Sequence, residues 1–130
     1  FRHAQKTLVP GGYLAFDCYL IDRTLYDRDP EERYEPRWFK EPETGEALYS
    51  WEQSWWEEET HIHHVSYHYK RQSGTVETTQ LALHMYEREA IRQSFEQAGF
   101  KLCYEWADFE GNPIGTADQK WVVLLQRGDE

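Results

Sequence analysis

A chain of 130 residues, 39% of them hydrophobic, is long enough to bury one modest core. Its 14 Lys and Arg against 24 Asp and Glu leave a formal charge of −10, which argues against a nucleic-acid partner because phosphate binding rests on cations. Two cysteines are too few for a disulfide framework, and no apolar run approaches about 18 residues, so the expectation is a cytoplasmic protein with no membrane partner.

The first seven residues read as the last turns of a helix, stopped by Pro10 and followed by Gly11-Gly12, which accept backbone angles closed to other residues. A strand over 14–20 comes next. Its start, Tyr13 to Phe16, shows no polar alternation, as expected of a strand covered on both faces. Residues 21–45 alternate in charge sign, and Pro36 and Pro42 are expected to prevent regular structure there. Short helical turns are expected near 22–27 and 30–34, with Trp38 and Phe39 as anchors. Residues 47–86 read as a three-stranded antiparallel meander with strands at 48–56, 61–71 and 76–85, rich in Thr, Tyr, Val, Ile and Trp and joined by polar turns. Alternation in its second strand sets Ile62, His64, Ser66 and His68 on one face, and His61, His63, Val65, Tyr67 and Tyr69 on the other. A helix over 87–98 has Ala90, Ile91, Phe95 and Ala98 as its core stripe, and Gly99-Phe100 as its stop. Strands over 101–109 and 120–126 flank a loop over 110–119 that contains Gly111, Pro113 and Gly115. Cys18 and Cys103 fall in apolar strands and read as reduced core residues.

Two of these segments carry a resemblance. One is Leu8-Val9-Pro10-Gly11-Gly12-Tyr13-Leu14-Ala15-Phe16-Asp17, and the other runs from Tyr86 through Ile91, Phe95 and Ala98 to Gly99-Phe100. Together they resemble the second half of the class I S-adenosylmethionine-dependent methyltransferases. In that family an L-x-P-G-G turn opens the fifth strand, and an aromatic-x-x-x-x-(I/L)-x-x-x-(F/L)-x-x-A-G-F helix precedes the sixth. The resemblance implies an α/β fold (α+β for this piece alone): the C-terminal part of a Rossmann-like sheet plus a three-stranded antiparallel insertion. Residues 14–20, 101–109 and 120–126 would be strands five, six and seven, in the spatial order 5-7-6 with the seventh reversed. Residues 1–20 and 87–130 would be core, and 21–86 a cover over the substrate.

The glycine-rich cofactor loop of that family has no counterpart here. No G-x-G-x-G follows a strand, and Gly111 and Gly115 share a loop with Pro113. The resemblance therefore implies the carboxy-terminal, substrate-binding part of an enzyme on a small-molecule methyl acceptor, inactive alone. S-adenosylmethionine would be bound only by the intact protein, with no metal. Cutting a sheet before its fifth strand leaves the edge at 14–20 unpaired, so a homodimer through that edge is expected.

In open α/β sheets ligands approach the carboxyl ends of the strands. This points to Asp17, Tyr19 and Asp22, and the two carboxylates could hold an ammonium group or serve the fold locally. His84, at the junction between meander and helix, is the preferred pocket histidine, against a role as a satisfied sheet histidine. Trp51, Trp55 and Trp56, with Tyr49 and Trp38, concentrate rings that either bind an alkylammonium group or stabilise a sheet poor in aliphatic side chains. Of these, Trp55 is the candidate for substrate contact. His61, His63, His64 and His68 fall on both faces of a strand and do not compose a tetrahedral metal site. The acidic surface either attracts a cationic substrate or serves solubility. The alternatives are a freestanding ligand- or protein-binding module that uses the aromatic sheet and, last, a metal-dependent histidine enzyme.

Overall fold

The structure, a computed structural model, describes residues 1–115 and 118–129. In chain order the elements are α1 (Arg2–Thr7), β1 (Tyr13–Tyr19), α2 (Arg23–Tyr26), β2 (Tyr34–Lys40), β3 (Ala47–Glu57), β4 (Ile62–Lys70), β5 (Val76–His84), α3 (Arg88–Gln97), β6 (Phe100–Trp106) and β7 (Lys120–Arg127). They fall into two compact units, Phe1–Ile21 with Tyr86–Glu130, and Asp22–Met85. Residues 116 and 117 of the loop expected over 110–119 lie outside the described residues.

The first unit is a three-stranded sheet in the order β1-β7-β6, with β7 antiparallel to both neighbours. This is the 5-7-6 order with a reversed last strand. The most apolar run in the chain takes the middle because a central strand is covered along both edges. Trp121, Val123 and Leu125 alternate onto one face of β7 and are buried there with Phe95 of α3, while Leu14, Phe16 and Cys18 of β1 pack around them. Phe95 anchors α3, and Ile91 and Ala98 pack beside it, but Ala90 is exposed and falls outside the expected stripe. Gly99 closes the helix at φ 87°, its N–H donating to the Glu96 carbonyl, and Phe100 is buried immediately after it.

β1 departs from expectation. It is packed on one face only: Tyr13, Ala15, Asp17 and Tyr19 are exposed, and Leu14, Phe16 and Cys18 are half-buried. The apolar run misled because Tyr presents a large ring yet tolerates water at its hydroxyl. The preceding turn is tied to β7. The Gly11 N–H donates to the Arg127 carbonyl, and the Arg127 N–H returns a bond to the Gly12 carbonyl. A side chain at Gly12 would put its Cβ 2.9 Å from the Val9 carbonyl oxygen, so the second glycine is needed for space. Cys18 and Cys103 are both free and half-buried, and Cys103 falls in the register slip between Leu102 and Tyr104.

The second unit is an antiparallel sheet of four strands, β2-β3-β4-β5, not three. The added strand is β2, inside the segment where Pro36 was expected to prevent regular structure. Proline lacks an N–H, so it is tolerated on an outer edge or at a bulge. β2 offers both: it is an edge, and its register shifts between Tyr34 and Arg37 beside Glu35 at φ 53°. Of the two expected anchors only Phe39 faces inward, its ring 5.9 Å from that of Tyr69, whereas Trp38 is 69% exposed. The helical turn expected near 22–27 is α2, and that near 30–34 is a turn closed by the Glu32 N–H on the Asp29 carbonyl. At one end of the sheet Arg71 joins three carboxylates, with Nη1 3.0 Å from Glu41 Oε2 and 2.7 Å from Glu46 Oε2, and Nε 3.0 Å from Glu77 Oε1. Hydrogen bonds from Arg71 and Thr44 hold the Glu41 carboxyl below the usual carboxylate range.

Candidate functional sites

Asp17 and Tyr19 share the open face of β1. Register pairs Tyr19 with Lys120 and Asp17 with Val122, so the Lys120 side chain emerges on the same face. Its Nζ lies 3.6 Å from Asp17 Oδ2, 4.0 Å from the centre of the Phe109 ring and 6.0 Å from that of Tyr19. One ammonium is thus held by a carboxylate and two rings that are each about 70% exposed. Sequence reasoning found Asp17 and Tyr19 but missed Lys120 and Phe109, because only the antiparallel register brings residue 120 beside residue 19. Burial, and then the neighbouring Asp17 charge, push the Cys18 thiol up, which suits a reduced, unreactive side chain.

Asp22 caps α2. Its Oδ1 accepts from the Thr24 N–H at 3.0 Å and from the Thr24 hydroxyl at 2.6 Å. The carboxylate is engaged in starting a helix, and Tyr26 at the other end of that helix stacks on Trp56 at 4.0 Å.

Trp55 lies in the second unit on a face of paired rings. Antiparallel register sets Trp55 opposite His64 and Trp51 opposite His68, and both pairs stack, at 4.1 Å and 5.1 Å. His64 Nε2 is also 3.6 Å from Glu57 Oε2. A groove of about 350 Å³ runs along this face, lined by Trp55, His64, Ser66, Gln80 and Ala82 among others. That volume suits a small ligand. His84 shares the face, opposite Ile62, two residues beyond Ala82 opposite His64. Asp17 and Tyr19 belong to the first unit, and Asp22, Trp55 and His84 to the second.

The sequence held a signal for the ring pairs that composition alone did not reveal. Two tryptophans four apart and two histidines four apart must meet when their strands pair antiparallel in the observed register. His61 does not share a strand face with His63, since it precedes β4 at φ 56°. Among the described residues no group of three or more His, Cys, Asp or Glu is placed to hold a metal ion.

Burial, then the charges of Arg28 and His64, depress the pKa of His63, and burial with Arg33 depresses that of His68. Arg33 lies 4.2 Å over Trp51, the ring against which His68 stacks. A depressed histidine is neutral in the fold and takes up its proton first in the unfolded chain. Its stabilising contribution is therefore complete above its ordinary value of 6.5 and is lost as pH falls towards the folded value. Thermal unfolding followed by tryptophan fluorescence is expected to show a Tm that drops between about pH 7 and about pH 5. A flat Tm across that interval would contradict the assignment.

No protein-family model matches the chain, and no curated protein matches it in sequence. Solved structures do. The CcbJ methyltransferase of Streptomyces caelestis superposes over 98% of this chain at 15% identity and a TM-score of 0.73. The chain has the fold of about half of an S-adenosylmethionine-dependent methyltransferase. An S-adenosylmethionine-dependent methyltransferase from Clostridium acetobutylicum matches over 98% of the chain at 10% identity and a TM-score of 0.70. An amino pentose methyltransferase of Micromonospora echinaspora, involved in calicheamicin biosynthesis and solved with S-adenosylmethionine bound, matches over 97% at 15% identity and a TM-score of 0.65. The chain spans about half the length of the solved structures it matches, covering 48%, 49% and 48% of these three.

The described residues do not compose a cradle for that cofactor. Every described strand pairing is antiparallel, so no crevice between parallel strand ends is present among them. The Gly11 and Gly12 N–H groups, the obvious donors in a glycine turn, are already bonded to the Arg127 and Val9 carbonyls. Nor is any helix of the described residues long and apolar enough to cross a membrane.

Proposed function

We propose that this chain is the C-terminal, acceptor-binding part of a class I S-adenosylmethionine-dependent methyltransferase that acts on a small molecule in the cytoplasm. The observation that carries the reading is the reversed β7 between β1 and β6, in a chain that superposes almost whole on half of a methyltransferase. The L-x-P-G-G turn before β1 and the A-G-F stop after α3 support the assignment of that half. Residues 1–20 and 87–130 then end the main sheet, and 21–86 cover the acceptor. The methyl donor is held by residues outside these 130, and this piece alone does not turn over.

Within this reading the open face of β1 offers Asp17 and Tyr19, and the groove face of the four-stranded sheet offers Trp55 and His84, each as acceptor contacts of its own unit. Asp22 contributes by fixing α2, since its carboxylate is engaged at Thr24. An amine is the acceptor class proposed here, supported by the acidic balance of the chain and not by the Lys120 setting, whose carboxylate and ring are already occupied by an ammonium group. The amino pentose specificity named for one structural neighbour agrees with it.

Titration calorimetry with S-adenosylmethionine tests the proposal. The intact protein is expected to give saturable heat, and the 130-residue chain none. Binding by the chain alone would overturn the assignment to the acceptor half, and no binding by the intact protein would favour a freestanding binding module.

A further inference from the structure

The four-stranded sheet carries a second cavity that the proposed function leaves unused. It holds about 510 Å³ and is lined by Trp38, Tyr49, Lys70, Arg71 and Gln72. Register explains the grouping. Tyr49 stands opposite Trp38 on one side and Lys70 on the other, so one row across β2, β3 and β4 supplies two rings and an ammonium group. Tyr49 precedes Trp55 by six positions on β3, which sets this row about 20 Å from the Trp55 groove at about 3.3 Å per residue. Between them Trp51 stacks on His68 and lies under Arg33, and the two linings share no residue.

Trp38 differs from the other rings of this unit. Those of Tyr34, Trp51 and Trp56 each lie under an arginine, at 4.6, 4.2 and 5.9 Å. Trp38 meets no such cation among the described residues, leans on Tyr49 at 5.1 Å and 47°, and stays 69% exposed. The charges beside it are unmatched as well. Arg71 is joined to Glu41, Glu46 and Glu77, whereas Lys70 makes no ion pair among the described residues. Neither does Lys40, which lies two positions beyond Trp38 on the same strand face. In a chain of net charge −10, an open ring flanked by two unneutralised lysines is a local reversal of sign.

We propose that this cavity binds a flat aromatic carboxylate, its ring against Trp38 and Tyr49 and its charge on Lys70. The ligand supplies the carboxylate that Lys70 lacks, and ring meets ring as aromatic pairs favour. The Gln72 side-chain amide adds a further donor in the lining. A volume of about 510 Å³ accommodates two fused rings. An ammonium ligand would meet like charge from Lys70, so this cavity and the amine acceptor proposed above call for opposite chemistry. The inference stands apart from the methyltransferase reading, since it uses only the cavity and its lining.

Titration calorimetry of the intact protein with 2-naphthoate tests it, with 2-naphthamide as the uncharged control. The acid is expected to bind saturably, and the amide about tenfold more weakly because it forms no ion pair with Lys70. Lys70→Gln is expected to erase that preference while leaving the amide affinity as it was. Trp38→Ala is expected to weaken both ligands about fivefold, the loss of one ring contact. Both residues are exposed, so circular dichroism of these variants should match that of the unaltered protein. Trp55→Ala, in the other groove, is expected to leave naphthoate affinity unchanged. Absence of saturable heat, equal affinity for acid and amide, or binding indifferent to Trp38→Ala would each overturn the proposal. So would a loss of affinity in Trp55→Ala, which would move the ligand to the other groove.

Discussion

Replacing Trp121 by alanine is expected to cost about 3–5 kcal/mol of stability, enough to unfold much of the first unit. Trp121 is completely buried in the central strand. Its ring lies 6.4 Å from Phe16 of β1 and 6.3 Å from Phe95 of α3, so removing it opens a void shared by three elements. Its Nε1–H also donates to Glu105 Oε2 at 2.8 Å, a carboxylate that Arg92 Nη2 approaches at 3.9 Å. Trp121→Phe keeps part of the volume and loses the hydrogen bond, and is expected to cost about 1–2 kcal/mol. Urea unfolding followed by circular dichroism separates the two variants. A loss below about 1 kcal/mol for the alanine variant would show that the sheet closes over the gap, against the packing described here.

Under the methyltransferase reading proposed above, Trp55→Ala in the intact protein is expected to raise the acceptor KM about tenfold with a smaller change in kcat. A face-on ring contact contributes about 1 kcal/mol or somewhat more when partly desolvated, which is the origin of that factor. The ring is 45% exposed and already stacked on His64, so its free face is available to a ligand in the groove. Trp55→Phe is expected to restore most of the loss. Stability should change little because the residue is far from fully buried, and this separates a ligand contact from a packing role. An unaltered KM, or a kcat loss matched by a fall in Tm, would remove Trp55 from the acceptor site.

The ends of the chain were more legible than its middle. The Pro10-Gly11-Gly12 turn and the stop at Gly99 carried the family resemblance, and that resemblance, with the apolar run at 121–125 agreeing with a central strand, implied the order of β1, β7 and β6. β2 was hidden because the rule applied to Pro36 is true of central strands and fails at an edge, and edge position is a property of the assembled sheet. The open face of β1 was hidden for a related reason: Tyr13 and Tyr19 count as apolar in a pattern but stand in water here. At the candidate sites, Asp17 and Trp55 could be named from the sequence. Their partners Lys120 and His64 could not, since each pairing depends on a register that no short stretch encodes. Asp22 is the reverse case: Asp22-Arg23-Thr24 is a recognisable helix start, and the local reading accounts for its carboxylate.

The central strand of the first unit is also the one synthesised last, and this has a consequence in the cell. Tyr19 leaves the ribosome about a hundred residues before Lys120, an interval of about 5–20 s at ordinary rates of translation. Throughout it the edge of β1 that β7 will pair stays open, and β6 also emerges before its partner. The nascent chain therefore carries greasy, unzipped segments until residues 120–127 have been made. A stop codon anywhere ahead of residue 120 would release a polypeptide with nothing to join its two sides, fit only for a chaperone or a protease.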